Sequence, residues 1–299
     1  MSDRRHMVFL LARTGITLGL MLATVNWARN SGWGGLTFTL APVLLAGALL
    51  TAIFAVMKPA QGFWRAGFWG YSAISGALAL VIPNWLVFLT MAQDGVITAA
   101  VFYLLSPVFT QALSWLLGLD RLAPLRVAGL LLGTVGALTL VLAPLLGANT
   151  DEVAVPYIGL FIPLSLAIGN IYRKQRMPTE MSATALAAGM LLASGMLFVP
   201  LLAVALWSGW SGTGVGSMLP LALQVLLMTG GYVSYFQFLR QVDPVYFSQL
   251  GYLVTLTGGL TGVFLFGEAP GWHHGLSVVL VAFGVWLVSK QSRPQVSSG

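Results

Sequence analysis

The side chains that most often perform catalysis or bind metals are few in this sequence and lie far apart. There is no cysteine, which excludes thiol catalysis, disulfides and thiolate metal sites. His273 and His274 could bind a metal ion together with Glu268, but side chains of adjacent residues on a helix diverge by about 100°. We interpret this pair as solvated loop residues. Since no serine lies in a G-x-S-x-G motif either, we predict that the protein is not an enzyme and needs no metal or cofactor.

Side chains that could bind a small solute lie near the middle of long apolar runs. Tyr103, Pro107 and Gln111 are four residues apart, so they share one face of a helix, and Ser106 lies beside them. Further along the chain, Tyr232 and Tyr235 are three residues apart, and so are Gln249 and Tyr252. The candidate substrate-binding residues are Asn84, Trp85, Tyr103, Ser106, Gln111, Ser165, Tyr232, Tyr235, Gln249 and Tyr252.

Phenol, amide and hydroxyl groups inside a membrane are costly unless they are paired or face water. Tyrosine rings can stack on an aromatic solute, and amides can pair with the head group of an amino acid. The set therefore predicts a cavity for a small, partly apolar solute. The alternative for each residue is structural, because tyrosine and glutamine often join transmembrane helices through hydrogen bonds.

The composition indicates whether these residues belong to a soluble protein or to a membrane protein. Of 299 residues, 14 are Lys or Arg and 8 are Asp or Glu, so 7% are charged, and 58% are hydrophobic. A soluble globular domain carries about 25% charged residues. The sequence therefore predicts an all-α integral membrane protein and excludes a soluble enzyme, a nucleic-acid-binding protein and a disordered chain.

A helix that crosses a bilayer needs about 20 mostly apolar residues, and ten candidate runs, two of them shorter, can be marked along the chain. The predicted spans are Met7–Trp27, Leu36–Met57, Phe63–Met91, Val96–Leu119, Leu125–Leu146, Tyr157–Tyr172, Ala183–Trp207, Met218–Leu239, Pro244–Phe266 and Gly275–Ser289. The first run is long enough to span and lacks a small-residue cleavage site, so we interpret it as a span rather than a signal peptide.

The basic residues test this segmentation. With the N-terminus in the cytoplasm, thirteen of the fourteen fall on the cytoplasmic side and only Arg29 falls outside, as the positive-inside rule requires. Arg173, Lys174 and Arg176 are assigned to the loop after the sixth span. We therefore predict a multi-pass protein of a bacterial-type inner membrane with both termini cytoplasmic, and the positive charge needs no nucleic-acid partner.

The two halves of the chain, 1–150 and 151–299, are similar in sequence. Asp94 aligns with Asp243 and Gly136 with Gly284, at offsets of 149 and 148 positions. Because each half holds five predicted spans, the second half enters the membrane from the opposite side. This pattern predicts two inverted-topology repeats with a substrate site between them near the midplane. The alternative is that hydrophobic segments resemble one another by chance.

Several stretches of the chain resemble a known family. Leu104–Phe109, Leu119–Leu122 and the glycine-rich stretch Gly129–Val141 look like the fourth and fifth helices of the drug/metabolite transporter superfamily, EamA type. Gly267-Glu268 followed by Gly284-Val285 matches the same pattern in the second half. The resemblance covers nearly the whole chain in span number and implies a secondary transporter that exports small metabolites or drugs.

The resemblance suggests amino-acid export, including aromatic amino acids, as the nearest branch. We therefore expect a carrier of small neutral or zwitterionic solutes that works by alternating access, with the lipid bilayer and the solute as its partners. Another metabolite or multidrug exporter of the same fold, or a membrane scaffold that transports nothing, are the alternatives. The sequence leaves the oligomeric state open, and a monomer is compatible with it.

The placement of the remaining charges bears on mechanism. Asp94, Asp120, Asp243 and Glu268 lie at the ends of spans, so no carboxylate is predicted at mid-membrane. This favours facilitated diffusion, or a coupling ion bound by neutral groups, over proton antiport through a buried acid. Arg13 is the one charge expected to be buried; it either snorkels to the surface or holds a substrate carboxylate. Phosphorylated substrates are disfavoured because they need basic side chains along the pathway.

Overall fold

The computed structural model describes residues 2–57, 62–86, 102–103, 105–120, 124–142, 158–207, 214–267 and 271–289. Within these residues every regular element is a helix. The helices in chain order are α1 (Ser2–Asn30), α2 (Gly35–Met57), α3 (Ala66–Gly76), α4 (Ser106–Leu116), α5 (Pro124–Leu142), α6 (Phe161–Arg176), α7 (Ala183–Trp207), α8 (Met218–Gln241), α9 (Pro244–Ser248), α10 (Leu250–Phe266) and α11 (Trp272–Ser289). A π-helical turn, Ala77–Val81, continues α3.

Five stretches are long and apolar enough to cross a membrane. They are Phe9–Asn30, Gly35–Val56, Ala66–Leu86, Ala183–Pro200 and Met218–Gln241. Together with the 7% of charged residues, they identify an all-helical, multi-pass membrane protein. The predicted boundary between the two halves lies outside the described residues, as do Asp94 and Glu268.

The predicted span Pro244–Phe266 is divided in two at Gln249, between the short helix α9 and the longer helix α10. Asp243 caps α9: its Oδ1 accepts a hydrogen bond from the backbone N–H of Tyr246 at 2.8 Å, which satisfies a free donor at the helix start. Asp243, which the sequence places at the end of a span, is therefore the N-cap of α9.

Two predictions at helix ends are wrong. The sixth span was expected to end at Tyr172, but α6 continues through Arg176 and takes Arg173 and Lys174 into the helix. His273 and His274 were expected in a loop, but they lie in the first turn of α11. Helix α6 continues past its last strongly apolar residue, and α11 begins before its apolar run, so in both places the helix extends beyond the stretch that a hydropathy pattern detects.

Helix α7 packs against α2 on one side and α3 on the other. Small residues make this possible: a Cβ on Gly76 of α3 would meet the Ser194 side chain and lie 2.8 Å from the Met190 carbonyl oxygen, both on α7. On the other side, a Cβ on Gly47 of α2 would lie 3.0 Å from Leu192. Close backbone approach through small residues is the usual way in which membrane helices pack.

The other main contacts join helices that are distant in sequence. Helix α1 packs between α8 and α10, α4 packs on α6, and α5 packs on α11. At the last contact, a Cβ on Gly284 would lie 2.6 Å from the Gly129 carbonyl oxygen and 3.0 Å from the Gly133 nitrogen. Gly129 and Gly133 of α5 therefore lie at a close helix contact with Gly284 of α11.

We predict that Gly76→Ala destabilises the protein by about 1–3 kcal/mol, because the added methyl group must displace Ser194 or the backbone of α7. The matched control is Gly70→Ala on the same helix, where a Cβ meets nothing within 4 Å. An alanine there replaces glycine in an open helix position and is expected to be neutral or stabilising by up to about 1 kcal/mol. Thermal unfolding in detergent measures both, and equal midpoints for the two variants would contradict the packing described.

Candidate functional site

Arg173 has no exposed surface, although it lies in the last turn of α6. Its Nη2 donates to Asn170 Oδ1 at 2.8 Å and its Nη1 donates to the Ser75 carbonyl oxygen of α3 at 3.2 Å. Its Cζ lies 5.4 Å from the centroid of the Tyr235 ring on α8. We call these four residues, Ser75, Asn170, Arg173 and Tyr235, the Arg173 cluster. It joins helices from both halves of the chain.

Three polar atoms of this cluster are buried and have no hydrogen-bond partner among the residues that the structure describes. They are Arg173 Nε, the Tyr235 hydroxyl and Ser75 Oγ. A buried polar group without a partner costs about 1–3 kcal/mol, and more when it is charged. Since buried polar groups in native proteins are normally satisfied, these atoms mark a place where the bundle leaves hydrogen-bonding capacity open.

Aromatic rings surround the cluster. Tyr232 and Tyr235 lie one above the other on α8, with ring centroids 5.7 Å apart. Tyr235 also meets Phe247 of α9 edge-on at 4.6 Å. On the other side, Tyr71 stacks on Tyr172 at 5.9 Å and donates its hydroxyl to the Arg173 carbonyl oxygen at 3.4 Å. The rings fix the guanidinium laterally and provide surfaces on which an aromatic solute can stack.

Helix α4 joins the cluster through a chain of polar side chains. Asn170 Nδ2 donates to Thr110 Oγ1 at 3.5 Å, and Thr110 Oγ1 donates to the Ser106 carbonyl oxygen at 2.7 Å. Gln111, next to Thr110, donates to Asp120 Oδ2 at 3.3 Å, while its own Oε1 is buried without a partner. The predicted polar face of the fourth span therefore points into the bundle, with Ser106 and Gln111 both buried.

Tyr103 lies where α10 crosses the start of α4. A Cβ on Gly251 would meet the Tyr103 carbonyl oxygen and lie 3.6 Å from Pro107 Cδ, so only glycine permits this approach. Gln249 and Tyr252, on either side of that glycine, are buried. Tyr103 and Tyr232 are close enough to interact electrostatically. The structure therefore brings residues of the fourth, eighth and ninth predicted spans together.

Three of the candidate residues lie elsewhere. Trp85 packs against Phe198 and its neighbours on α2 and α7. It lies fourteen residues after Tyr71 along the third span, so the two residues are about 20 Å apart along the helix axis. Asn84, beside it, is partly exposed. Ser165 Oγ donates to the Leu78 carbonyl oxygen in the π-helical turn at 2.9 Å, which is the helix-joining role that was the alternative for each polar residue.

The prediction that Arg13 is the one buried charge is wrong. Arg13 is exposed and donates to Ser234 Oγ at 2.8 Å and to Gln237 Oε1 at 2.7 Å, both on α8. It lines an open groove of about 590 Å³ between α1, α2, α7 and α8. The buried guanidinium is that of Arg173.

Sequence reasoning missed Arg173, Asn170 and Tyr71, although the signal for the first two is present. Ser165, Gly169, Asn170 and Arg173 recur at spacings of three and four residues, which continues one helix face through the basic cluster. Hydropathy ended the span at Tyr172 because four polar residues follow. Helical periodicity would have continued it.

Lys174, the neighbour of Arg173, has a separate role. Its Nζ donates to the carbonyl oxygens of Leu239 and Arg240 at 3.2 and 3.3 Å, which satisfies free acceptors at the C-terminal end of α8. The carboxylate of Asp243 lies near enough to interact with it electrostatically. Lys174 thus ties the end of α6 to the α8–α9 junction, and its charge is compensated there.

We predict that Tyr235→Phe leaves the ligand-free protein as stable as the wild type or up to about 1 kcal/mol more stable, because it removes a buried hydroxyl without a partner. The matched control, Tyr71→Phe, removes a hydroxyl that donates to the Arg173 carbonyl oxygen, and is expected to cost about 0.5–1.5 kcal/mol. Both are measured by thermal unfolding in detergent. A larger loss for Tyr235→Phe than for Tyr71→Phe would show that the Tyr235 hydroxyl is satisfied in the folded protein.

Residues 157–290 match the model of the EamA-like transporter family. The chain is also similar to a solved structure described only as the crystal structure of a protein, with 19% sequence identity, a TM-score of 0.68, and coverage of 95% of this chain and 98% of that one. At this identity the likeness shows the fold alone. A search of curated proteins gave no match. The family match lies in the second half of the chain, supports the resemblance to the drug/metabolite transporter superfamily, and favours a transporter of small metabolites over an enzyme.

Proposed function

We propose that the protein is a secondary transporter that exports small neutral or zwitterionic metabolites, with aromatic amino acids as the leading substrates. The observation that carries the proposal is the convergence of Tyr103, Tyr232 and Tyr235 with Arg173, all on helices of a membrane bundle whose second half matches a transporter family. The rings offer stacking surfaces to an aromatic side chain. The polar atoms beside them suit an amino-acid head group.

The helix contacts support a further part of the proposal, that residues 1–150 and 151–299 are inverted-topology repeats of five spans each. In the proposed repeat, α1, α2, α3 and α4 of the first half correspond to α6, α7, α8 and α10 of the second. When each helix is exchanged for its counterpart, the contact of α4 with α6 becomes that of α10 with α1. The contact of α3 with α7 becomes that of α8 with α2 in the same way, and all four contacts are present. Transporters built from such repeats bind substrate between the halves, where the Arg173 cluster lies.

Transport by alternating access requires that the site be closed on one side at a time. Arg173 has no exposed surface, and the contact of Tyr235 with Phe247 places the short helix α9 against it. Helix α9 has five residues and is separated from α10 at Gln249. A short helix next to a break is a suitable moving element, and we propose that its displacement opens this end of the site.

We propose that this end faces the cytoplasm. Arg65, Arg176 and Arg240 are exposed around it, and basic residues are retained on the cytoplasmic side. Arg29 lies at the opposite end of α1. Both termini would then be cytoplasmic and the membrane would be a bacterial-type inner membrane.

The test is flux of radiolabelled L-phenylalanine into liposomes that contain the purified protein. The wild type is expected to transport it, and Tyr103→Ala and Tyr232→Ala are each expected to reduce the initial rate about fivefold, since loss of one stacking ring is worth about 1 kcal/mol. The matched control is Trp115→Ala on α4, an aromatic residue that is 49% exposed on the outside of the bundle. Its rate is expected to equal that of the wild type.

Two results would contradict the proposal. Equal rates for the two tyrosine variants and the wild type would exclude the tyrosine cluster as the pathway. Absence of flux above protein-free liposomes for amino acids, amphiphilic drugs and nucleosides alike would favour a membrane scaffold. Flux of drugs without flux of amino acids would favour the multidrug alternative, which the apolar aromatic lining also suits.

A further inference from the structure

The guanidinium of Arg173 is buried, and its hydrogen-bond partners in the described residues carry no charge. Its hydrogen bonds go to the Asn170 amide oxygen and the Ser75 carbonyl oxygen, both uncharged. Nε is buried and has no partner. In the part of the chain that the structure describes, no carboxylate pairs with it.

A buried charge of this kind needs compensation. Removal of an ion from water is costly unless the ion is paired, and an arginine cannot lose its proton to avoid that penalty. The contact of Arg173 with the Tyr235 ring is favourable but weaker than an ion pair. An anionic group beside the guanidinium would supply this compensation.

The unpartnered atoms indicate which anion fits. A guanidinium presents its N–H donors in a planar fork that matches the two oxygens of a carboxylate. The Tyr235 hydroxyl and Ser75 Oγ, which are also buried without partners, can each donate one more hydrogen bond. Beside these donors lie the rings of Tyr232 and Tyr71. The arrangement suits a solute that has a carboxylate at one end and a ring at the other.

We propose that the Arg173 cluster binds the carboxylate of the transported solute. The inference rests on the proposed function and deepens it, because it restricts the substrates to solutes with a carboxylate and excludes amines and amides of the same shape. Binding of the carboxylate neutralises the buried charge. The occupied site is then more stable than the empty one, which favours the closed state once substrate has entered.

Neither Arg13 nor Lys174 combines burial with an unpartnered donor as Arg173 does. Arg13 is exposed and already bound to Ser234 and Gln237 at the edge of a lateral groove. Lys174 donates to the end of α8 and interacts with Asp243. Arg173 is the cation that combines burial, a free donor and aromatic neighbours in the described residues.

The first experiment needs no variant. Binding of L-phenylalanine, L-phenylalaninamide, phenethylamine and 3-phenylpropanoate to the wild type is measured in detergent by the shift of the unfolding midpoint with ligand concentration. The two carboxylates are expected to bind about ten- to a hundredfold more tightly than the amide and the amine, as for hydrogen bonds to a charged group. Equal affinity of the acid and its amide would overturn the proposal.

The second experiment assigns the preference to a residue. Arg173→Gln is expected to bind phenylalanine and its amide with equal affinity, and Arg173→Lys to retain part of the preference, because it keeps the charge but loses the fork. The matched control is Arg13→Gln, which is expected to keep the full preference. Loss of the preference in Arg13→Gln together with its retention in Arg173→Gln would move the site to the groove. If neither Arg173 variant folds, the affinities of the four ligands for the wild type still test whether the protein prefers carboxylates.

Failure of this inference and failure of the proposed function give different results. Binding in detergent does not depend on transport, so a carboxylate preference that Arg173→Gln abolishes supports the site even if liposomes show no flux. The converse result is that phenethylamine and phenylalaninamide inhibit phenylalanine flux as strongly as 3-phenylpropanoate does. That result would support transport by the protein and overturn the carboxylate site.

Discussion

The burial of the Arg173 charge shapes much of the bundle, because a charge removed from water must be paired or hydrogen-bonded. A guanidinium without exposed surface has to obtain its hydrogen bonds from neighbouring helices. It obtains them from the backbone of α3 and from Asn170 on its own helix, while Tyr235 of α8 covers its face. Three helices are therefore held in register around one charge. Asn170 extends the network to α4 through Thr110.

Close packing through small residues allows those helices to approach. The α3–α7 contact at Gly76 and the α10–α4 contact at Gly251 are both nearer than a side chain would permit. The first fixes the helix that carries Tyr71 and Ser75. The second places Gln249 and Tyr252 beside Tyr103. The polar cluster and the glycine contacts thus depend on each other, since dispersion and close packing provide the association energy in a membrane and the polar groups give it specificity.

Much of the helical framework could be predicted from sequence because long apolar runs and charged breaks are strong signals in a membrane protein. The bounds of α7 and the cap at Asp243 follow from residue types alone. The convergence of the candidate residues was predicted in part: the tyrosines of the eighth span and the polar face of the fourth come together, because helical period determines which face meets the bundle. Whether they bind substrate remains a prediction. Ten spans and the repeat remain predictions.

What could not be predicted depends on tertiary context. Arg173 follows the apolar run directly and has the composition of a loop residue, yet α6 continues and buries it because α3 and α8 supply partners. Trp85 and Ser165 are aromatic or polar like the members of the candidate site, but Trp85 packs against α2 and α7 and Ser165 donates to a carbonyl of the π-helical turn. Hydropathy measures transfer to lipid and contains no information about which neighbouring helix provides a hydrogen bond.

The most direct test of this account is an experimental structure with bound 4-iodo-L-phenylalanine, in which the iodine locates the ring and the density locates the carboxylate. The account predicts that the carboxylate lies within about 3 Å of the Arg173 guanidinium, with the ring among Tyr103, Tyr232 and Tyr235. A ligand in the groove beside Arg13, with Arg173 keeping Asn170 and Ser75 as its hydrogen-bond acceptors and gaining no contact with the ligand, would contradict it.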